Sequence, residues 1–222
     1  TINSEVVGVS KPEVAEAAKL FENTFRQVNI ALVNEFLKIA HVMDFDIREV
    51  IEAASTKPYG FMKFNPGPGV GGHCIPVDPY YLTWSAEQAG FTASFIEKAN
   101  EINQTMPKYV VERFISIYGP PQPKGVVLVA GIAYKPGVAD IRESPGIEIF
   151  HTLQAEGYTT QWYDPFVKSA NNGTPAKVSE YFSGVIITLP GQDLPINSWL
   201  SSGCKILDCT GFYRSHEGVI QL

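Results

Sequence analysis

The sequence predicts an α/β chain, a mostly helical first part followed by a doubly wound parallel sheet. Three observations predict it. Apolar residues recur at helical spacing up to about Thr105. From about Lys124 onward, short apolar runs alternate with helical segments, the pattern of a parallel sheet built from strand–helix–strand units. Between the two, Pro120, Pro121 and Pro123 punctuate the chain. The reading places a helical domain at residues 1–105 and a sheet domain at residues 106–222.

The opening helix is predicted from Pro12 to Met43. Ser10 serves as N-cap, Pro12 sits early, and Glu13 and Glu16 suit the positive end of the helix dipole. Leu20, Phe21, Phe25, Val28, Leu32, Phe36 and Ile39 form its apolar stripe, widened by Ala31, Val33, Leu37 and Ala40. A helix apolar over so much of its circumference is buried on several sides, either against a second copy or as the central helix of a monomer. Asp46 caps a second helix, Ile47 to Ala54, and further helices are predicted at Tyr80–Ala89 and Ser94–Gln104. In the sheet region, strands are expected at Val126–Ala130, Thr159–Tyr163, Gly184–Leu189 and Lys205–Cys209. Ser144 caps a helix reaching about Glu156, which Gly157 ends.

Composition narrows the function classes. The 222 residues are 45% hydrophobic and 18% charged, as in a soluble globular chain. A net charge of −6 argues against nucleic-acid or membrane-surface partners, and no apolar run is long enough to span a bilayer. Thr1 to Glu5 carry neither a basic region nor a signal-peptide core. Three cysteines at scattered spacing predict free thiols in a reducing cytoplasm. Cys204 and Cys209, with His41, His73, His151 and His216, lack the paired spacing of a metal site; the two cysteines flank Ile206-Leu207 and read as core thiols.

The most informative stretch is PGPGVGGHCIPVDPYYL, Pro66 to Leu82. Its glycines let the backbone approach a ligand closely and leave N–H groups free to face it. Cys74 ends the glycine-rich loop, Asp78 follows, and a helix begins nearby, whose positive end favours thiolate. Gly67, Gly69 and Gly72 match G-x-G-x-x-G, but Phe61 to Pro66 is not a strand, and Pro66 and Pro68 fit a tight strand-to-helix turn poorly. A dinucleotide fingerprint is therefore rejected here.

Three blocks now combine: AKLFENTFRQVNIALVNE (Ala18 to Glu35), GPGVGGHCIPVDPYYL (Gly67 to Leu82) and GIAYKPGVADIRESPGIEI (Gly131 to Ile149). In type and order they resemble the central and C-terminal domains of the UDP-glucose/GDP-mannose dehydrogenase family. The GGHCIPVDP form resembles the branch acting on UDP-N-acetylhexosamines, and Val77 stands where UDP-glucose members place lysine. The resemblance implies a helical dimerisation domain, then a Rossmann-like domain that binds the UDP-sugar. It implies oxidation of a primary alcohol to a carboxylate with two NAD, in supply of surface-polysaccharide precursors. Cys74 would attack the aldehyde and carry a thioester, Asp78 would activate water or orient its neighbours, and Lys19 and Asn23, spaced i,i+4, would stabilise oxyanions. The backbone of Phe64, Asn65, Gly67, Gly69, Gly71 and Gly72 would hold the nucleotide sugar, with Lys135 on the substrate and Arg142 on the cofactor. Lys57 stands near where the family places an arginine that reaches the partner subunit's sugar, and a homodimer through the long helix is implied. The family's N-terminal NAD-binding domain does not precede this helical region, so the sequence reads as a fragment, inactive alone.

Two other classes stay open. One is a non-catalytic module that binds a nucleotide sugar or dimerises. The other is a cysteine hydrolase or acyltransferase, which needs a histidine base near Cys74; His73 is adjacent in sequence, where side chains diverge.

Overall fold

The computed structural model describes residues 6–170 and 173–222. Thr1–Glu5, read above for a leader, lie outside the described residues. Five helices come first: α1 (Pro12–Met43), α2 (Ile47–Ala54), α3 (Asp78–Gln88), α4 (Ser94–Gln104) and α5 (Met106–Tyr118). Then follow β1 (Val126–Ala130), α6 (Pro145–Ala155), β2 (Thr159–Tyr163), β3 (Gly184–Ile187), α7 (Ile196–Ser201), β4 (Lys205–Asp208) and β5 (Val219–Gln221). The strands form one parallel sheet in the order β2-β1-β3-β4-β5, so the chain reverses direction across the sheet between β1 and β3. This is the predicted α/β architecture.

Alternate residues of the strands feed two cores. Val127, Val129, Ile186 and Leu207 face α5 and α6, in a cluster that continues through Val110 and Phe114 to Leu37, Ala40, Ile47 and Ile51 of the helical region. Leu128, Ala130, Val185, Ile187 and Ile206 face the other way, against Ile196 and Trp199 of α7 and Phe182. Sheet and helices therefore share one apolar core, which fixes the helical part over one sheet face. Arg48 of α2 adds a polar tie, its Nη2 donating to the Cys209 carbonyl at 3.1 Å. Cys204 and Cys209 are buried, as expected, and burial pushes the Cys204 thiol up to about 12.

Several details differ from the sequence reading. Lys11 rather than Ser10 precedes α1 as N-cap, with no side-chain bond, because Pro12 at the first turn already fixes the start. The Asp46 and Ser144 caps form as expected, to the amides of Arg48 and Gly146. α5, α7 and β5 were not anticipated. The largest difference concerns the face of α1. Its inward residues are Asn23, Thr24, Gln27, Ala31, Asn34, Leu37 and Ala40, whereas Phe21, Phe25, Leu32, Phe36 and Ile39 are exposed. The polar residues can turn inward because Asn23, Gln27 and Asn34 find partners across the helix packing, while Thr24 donates back to the Leu20 carbonyl of its own helix.

Candidate functional site

The inward polar face of α1 builds the site. Asn34, fully buried, donates from Nδ2 to Asn103 Oδ1 at 3.0 Å and accepts the Gly67 N–H at 2.9 Å. Asn103 in turn donates to the Gln27 carbonyl at 3.0 Å, and Gln27 Nε2 donates to Asn100 Oδ1 at 3.0 Å. Nearer the start of α1, Asn23 Nδ2 donates to Asp78 Oδ2 at 2.6 Å. The cysteine loop is thus tied to α1 at both ends, Gly67 through Asn34 and Asp78 through Asn23. Cys74 lies exposed between the ties, at the turn that starts α3, its carbonyl accepting the amides of Val77 (3.3 Å) and Asp78 (2.8 Å). A solvent-facing thiol in a pinned loop is open to an electrophile, unlike the two core thiols.

The second wall comes from the loop after β1. Asp164, buried at the end of β2, accepts the amides of Ile132 (3.1 Å) and Ala133 (3.0 Å) and so fixes how the chain leaves β1. The Tyr134 amide donates to the Asp140 carbonyl at 2.9 Å, closing the loop on itself. This loop presses on the glycines of the cysteine loop. A Cβ at Gly71 would lie 2.6 Å from the Glu143 carbonyl oxygen, and one at Gly72 would lie 2.7 Å from the Tyr134 ring. The Gly72 amide donates to the Arg142 carbonyl at 3.0 Å. Arg142 itself forks onto Asp140, with Nε 3.0 Å from both carboxylate oxygens and Nη2 2.6 Å from Oδ2. The fork lowers the Asp140 carboxyl to about 2 and raises Arg142 above its ordinary value.

The structure brings Asn23, Asp78 and the Cys74 loop together, with Arg142 beside it. Lys19 lies one turn before Asn23 on α1, its ammonium 3.1 Å from Glu22 Oε2 with both side chains largely in solvent. The amides of Gly67 and Gly72 are engaged by Asn34 and Arg142, and Gly69 backs onto the Asn103 carbonyl. Gly69, Gly71 and Gly72 serve close packing of chain on chain, whereas a Cβ at Gly67 would meet nothing within 4 Å. Phe64 packs edge-on to Phe25 with ring centroids 6.0 Å apart, and Asn65 is exposed. Lys57 is exposed just beyond α2, and Lys135 Nζ sits 5.2 Å from the Tyr134 ring centroid. Sequence reasoning missed Gln27, Asn34, Asn100 and Asn103. The signal was present: Asn23, Gln27 and Asn34 fall on one helix face opposite the apolar stripe.

Among the described residues, no group of three or more His, Cys, Asp or Glu is arranged to hold a metal ion. Nor does any helix there have the length and apolarity to cross a membrane. Among the described residues, the Gly67–Gly72 run follows no strand and the turn after β1 reads Gly131-Ile132-Ala133, so neither carries the strand-led dinucleotide fingerprint.

A helical unit that holds an exposed cysteine loop against the loop after β1 of a parallel-sheet unit defines a two-part α/β class of protein. The comparisons give the particular family. Residues 13–105 match the model of the UDP-glucose/GDP-mannose dehydrogenase family, central domain, and residues 128–188 match the same family's UDP binding domain. The chain belongs to the UDP-glucose/GDP-mannose dehydrogenase family. It is 41% identical over 163 residues to the UDP-N-acetyl-D-mannosamine dehydrogenase of Methanococcus aeolicus, covering 72% of this chain and 36% of that protein. It is 39% identical over 168 residues to the UDP-N-acetyl-D-glucosamine 6-dehydrogenase of Pseudomonas aeruginosa, covering 72% of this chain and 38% of that protein. The native structure of the UDP-N-acetyl-mannosamine dehydrogenase from Staphylococcus aureus superposes with a TM-score of 0.76 at 34% identity, over 95% of this chain and 50% of that one. The chain therefore spans between about a third and a half of the length of these relatives.

Proposed function

We propose that the whole protein is an NAD-dependent 6-dehydrogenase of a UDP-N-acetylhexosamine, UDP-N-acetylmannosamine or UDP-N-acetylglucosamine, in the reducing cytoplasm and in supply of surface polysaccharide. The observation that carries this reading is the Asn23–Asp78 bond, which anchors an exposed Cys74 at the mouth of a loop clamped between two units. The names of the relatives support the substrate class. NAD, when bound, supplies the hydride acceptor; the described residues offer it no fingerprint, and Arg142 is the one residue here proposed to touch it. The proposal assigns residues 1–105 to the dimerising unit and residues 106–222 to the UDP-sugar unit.

In this reading Cys74 Sγ bonds to the carbon of the aldehyde, whose oxygen becomes the oxyanion of a thiohemiacetal; that carbon would then give up its hydride, which NAD would accept, to leave a thioester on Cys74. The Asn23 amide is engaged with Asp78, so its role is to hold that carboxylate in place, while Lys19 reaches the oxyanion only by leaving Glu22. Asp78 takes a proton from the water that attacks the resulting thioester; the carbon–sulfur bond breaks, and carboxylate and Cys74 are released. The proposal assigns Phe64, Asn65, Gly67, Gly69, Gly71, Gly72 and Lys135 to the nucleotide sugar, with Lys57 serving the partner subunit. The test is Cys74→Ser in the full-length enzyme. Acid formation is expected to fall by at least 10²-fold, about the loss of a nucleophilic step, while trapped aldehyde remains detectable; acid production at the parent rate would remove Cys74 from the mechanism. A module that binds without catalysis predicts no turnover in the parent either.

A further inference from the structure

Beyond the carboxyl ends of β1, β2 and β3 lies a crevice of about 250 Å³. Pro136 lines it after β1, Pro165 and Phe166 after β2, and Leu189, Pro190 and Gln192 after β3. The chain runs from β1 to one neighbouring strand and then crosses to the other, and open parallel sheets take ligands at such a reversal. The crevice is smaller than the ~300–1,000 Å³ of sites for drug-sized ligands, so it admits one ring system and not a whole nucleotide sugar. Its walls are mostly apolar, and no Lys, Arg or His among the described residues lines it, which excludes a phosphate as the buried group. Asp164, 3% exposed, is spent on the chain itself, its oxygens accepting the amides of Ile132, Ala133 and Phe166. Gln192, 9% exposed, differs. The Tyr213 hydroxyl donates to its backbone carbonyl at 2.6 Å, and its Nε2 donates to the Leu189 carbonyl at 3.1 Å. The second bond fixes which way the amide points and leaves over an acceptor, Oε1, buried and without a partner among the described residues. Residue 131 makes room for this amide, since a Cβ on Gly131 would lie 2.8 Å from Nε2. A buried acceptor with nothing to accept from destabilises a fold, so its retention calls for a reason.

We infer that this crevice holds the base of a nucleotide, whose edge N–H meets Gln192 Oε1 while its faces lie against Phe166 and the prolines. A base has both features that the crevice selects, a flat apolar face and an N–H at its edge, and its phosphates stay outside. Two nucleotides have this chemistry. One is the nucleotide sugar itself. The Tyr134 ring lies against Gly72 of the cysteine loop, and Pro136, two residues on and at most ~7 Å away along the chain, lines the crevice. Lys135 stands between them, next to where a diphosphate would pass. The other is a second nucleotide, bound apart from the thiol. Assigning the base to the substrate rests on the dehydrogenase reading; the choice of a base does not.

The experiment titrates the full-length protein with uridine, adenosine and ribose, followed by saturation-transfer NMR of the small molecule. At least one of the two nucleosides is expected to bind, and ribose is not. Gln192→Met keeps the length of the side chain and removes the acceptor; it is expected to weaken that nucleoside about five-fold, the worth of one neutral hydrogen bond. Phe166→Ala removes a stacking face that is 51% exposed and carries no core packing; it is expected to weaken the nucleoside on the order of ten-fold. No nucleoside signal with the parent overturns the inference, as does parent affinity in either variant. If Gln192→Met does not fold, Phe166→Ala decides alone. Excess UDP-N-acetylglucosamine and UDP-N-acetylmannosamine then separate the two sources. Displacement of the nucleoside assigns the crevice to the base of the nucleotide sugar, and a nucleoside that stays bound assigns it to a second nucleotide. Binding is read without turnover, so this result and that of Cys74→Ser fail or succeed independently.

Discussion

Asn34 shows at the scale of one residue how this site is built. It is wholly buried in the middle of α1 and satisfies two groups at once, the Gly67 amide and the Asn103 side chain. Both partners are fixed by their own segments and cannot turn to water if Asn34 is lost. Leaving a buried donor or acceptor unpaired costs about 1–3 kcal/mol each, far more than a bond contributes net. Asn34→Ala is therefore expected to lower the unfolding free energy by about 2–4 kcal/mol in urea denaturation. It should also raise protease cleavage within Gly67–Asp78, since one of the loop's two ties is gone. Asn29→Ala, on the exposed side of the same helix, is expected to stay within about 0.5 kcal/mol of the parent. Equal losses for the two variants would remove Asn34 from this role. From sequence, Asn34 is invisible as a site residue, because an asparagine in a helix carries no sign of its partner. Cys74 and Asp78 are visible because their setting, a glycine-rich loop with a thiol, is itself unusual.

At the scale of elements, what is legible follows from what is local. Pro12 and Asp46 mark helix starts by chemistry confined to one turn, and both starts are found where that chemistry puts them. Short strands between helices are equally local, so β1 to β4 and their parallel arrangement follow from the alternation. The direction α1 faces is not local. Its apolar stripe points outward because Asn23, Gln27 and Asn34 find partners on α3 and α4, and no pattern within α1 carries that information. α5 escaped because Pro107 beside the domain boundary reads as a break, although it occupies a first turn where proline is tolerated. The junction of α1 and α5 contains a titratable pair. His41 Nδ1 lies 2.5 Å from the Tyr109 hydroxyl, the rings stack at 5.9 Å, and Lys38 sits 5.1 Å from the Tyr109 ring centroid. Burial first, and then the Arg113 charge, hold the His41 pKa below 6.5. A histidine with a depressed folded pKa is neutral in the fold, while the unfolded chain takes up its proton near pH 6.5. Stability from this group is therefore whole above that value and declines as pH falls from about 6.5 toward the folded pKa. His41→Gln, which cannot titrate, should flatten that part of a melting-temperature curve between about pH 7.5 and 5.5. An NMR midpoint for His41 above 6.5 would contradict the sign argued here.

At the scale of the whole molecule, the outward face of α1 is the feature the single chain leaves unfinished. Phe21, Phe25, Leu32, Phe36, Ile39 and Met43 remain exposed along the helix, at 71% for Phe21 and 59% for Leu32. From Phe21 to Met43 the stripe is ~33 Å long at 1.5 Å per residue, and a continuous apolar surface of that length on a protein with net charge −6 marks a contact. The spacing of four, seven, four, three and four alternates like a helix–helix seam, and a straight helix can face its own copy about a two-fold axis. The proposed occupant is therefore a second copy, which also gives Lys57 a neighbouring subunit to reach. Leu32 lies near the middle of the stripe, so Leu32→Glu puts a carboxylate from each copy into the apolar contact. With desolvation of about 3 kcal/mol unmet by any cation, association should weaken on the order of 10²-fold. Sedimentation velocity is expected to show dimer for the parent and monomer for the variant at micromolar protein. Because Leu32 is exposed in the single chain, the monomer should keep its helical circular dichroism, whereas Leu37→Ala, at 0% exposure in the core, should cost about 2–5 kcal/mol of stability and still dimerise. Monomer in the parent, or an undiminished dimer with Leu32→Glu, would mean that the stripe meets something other than itself.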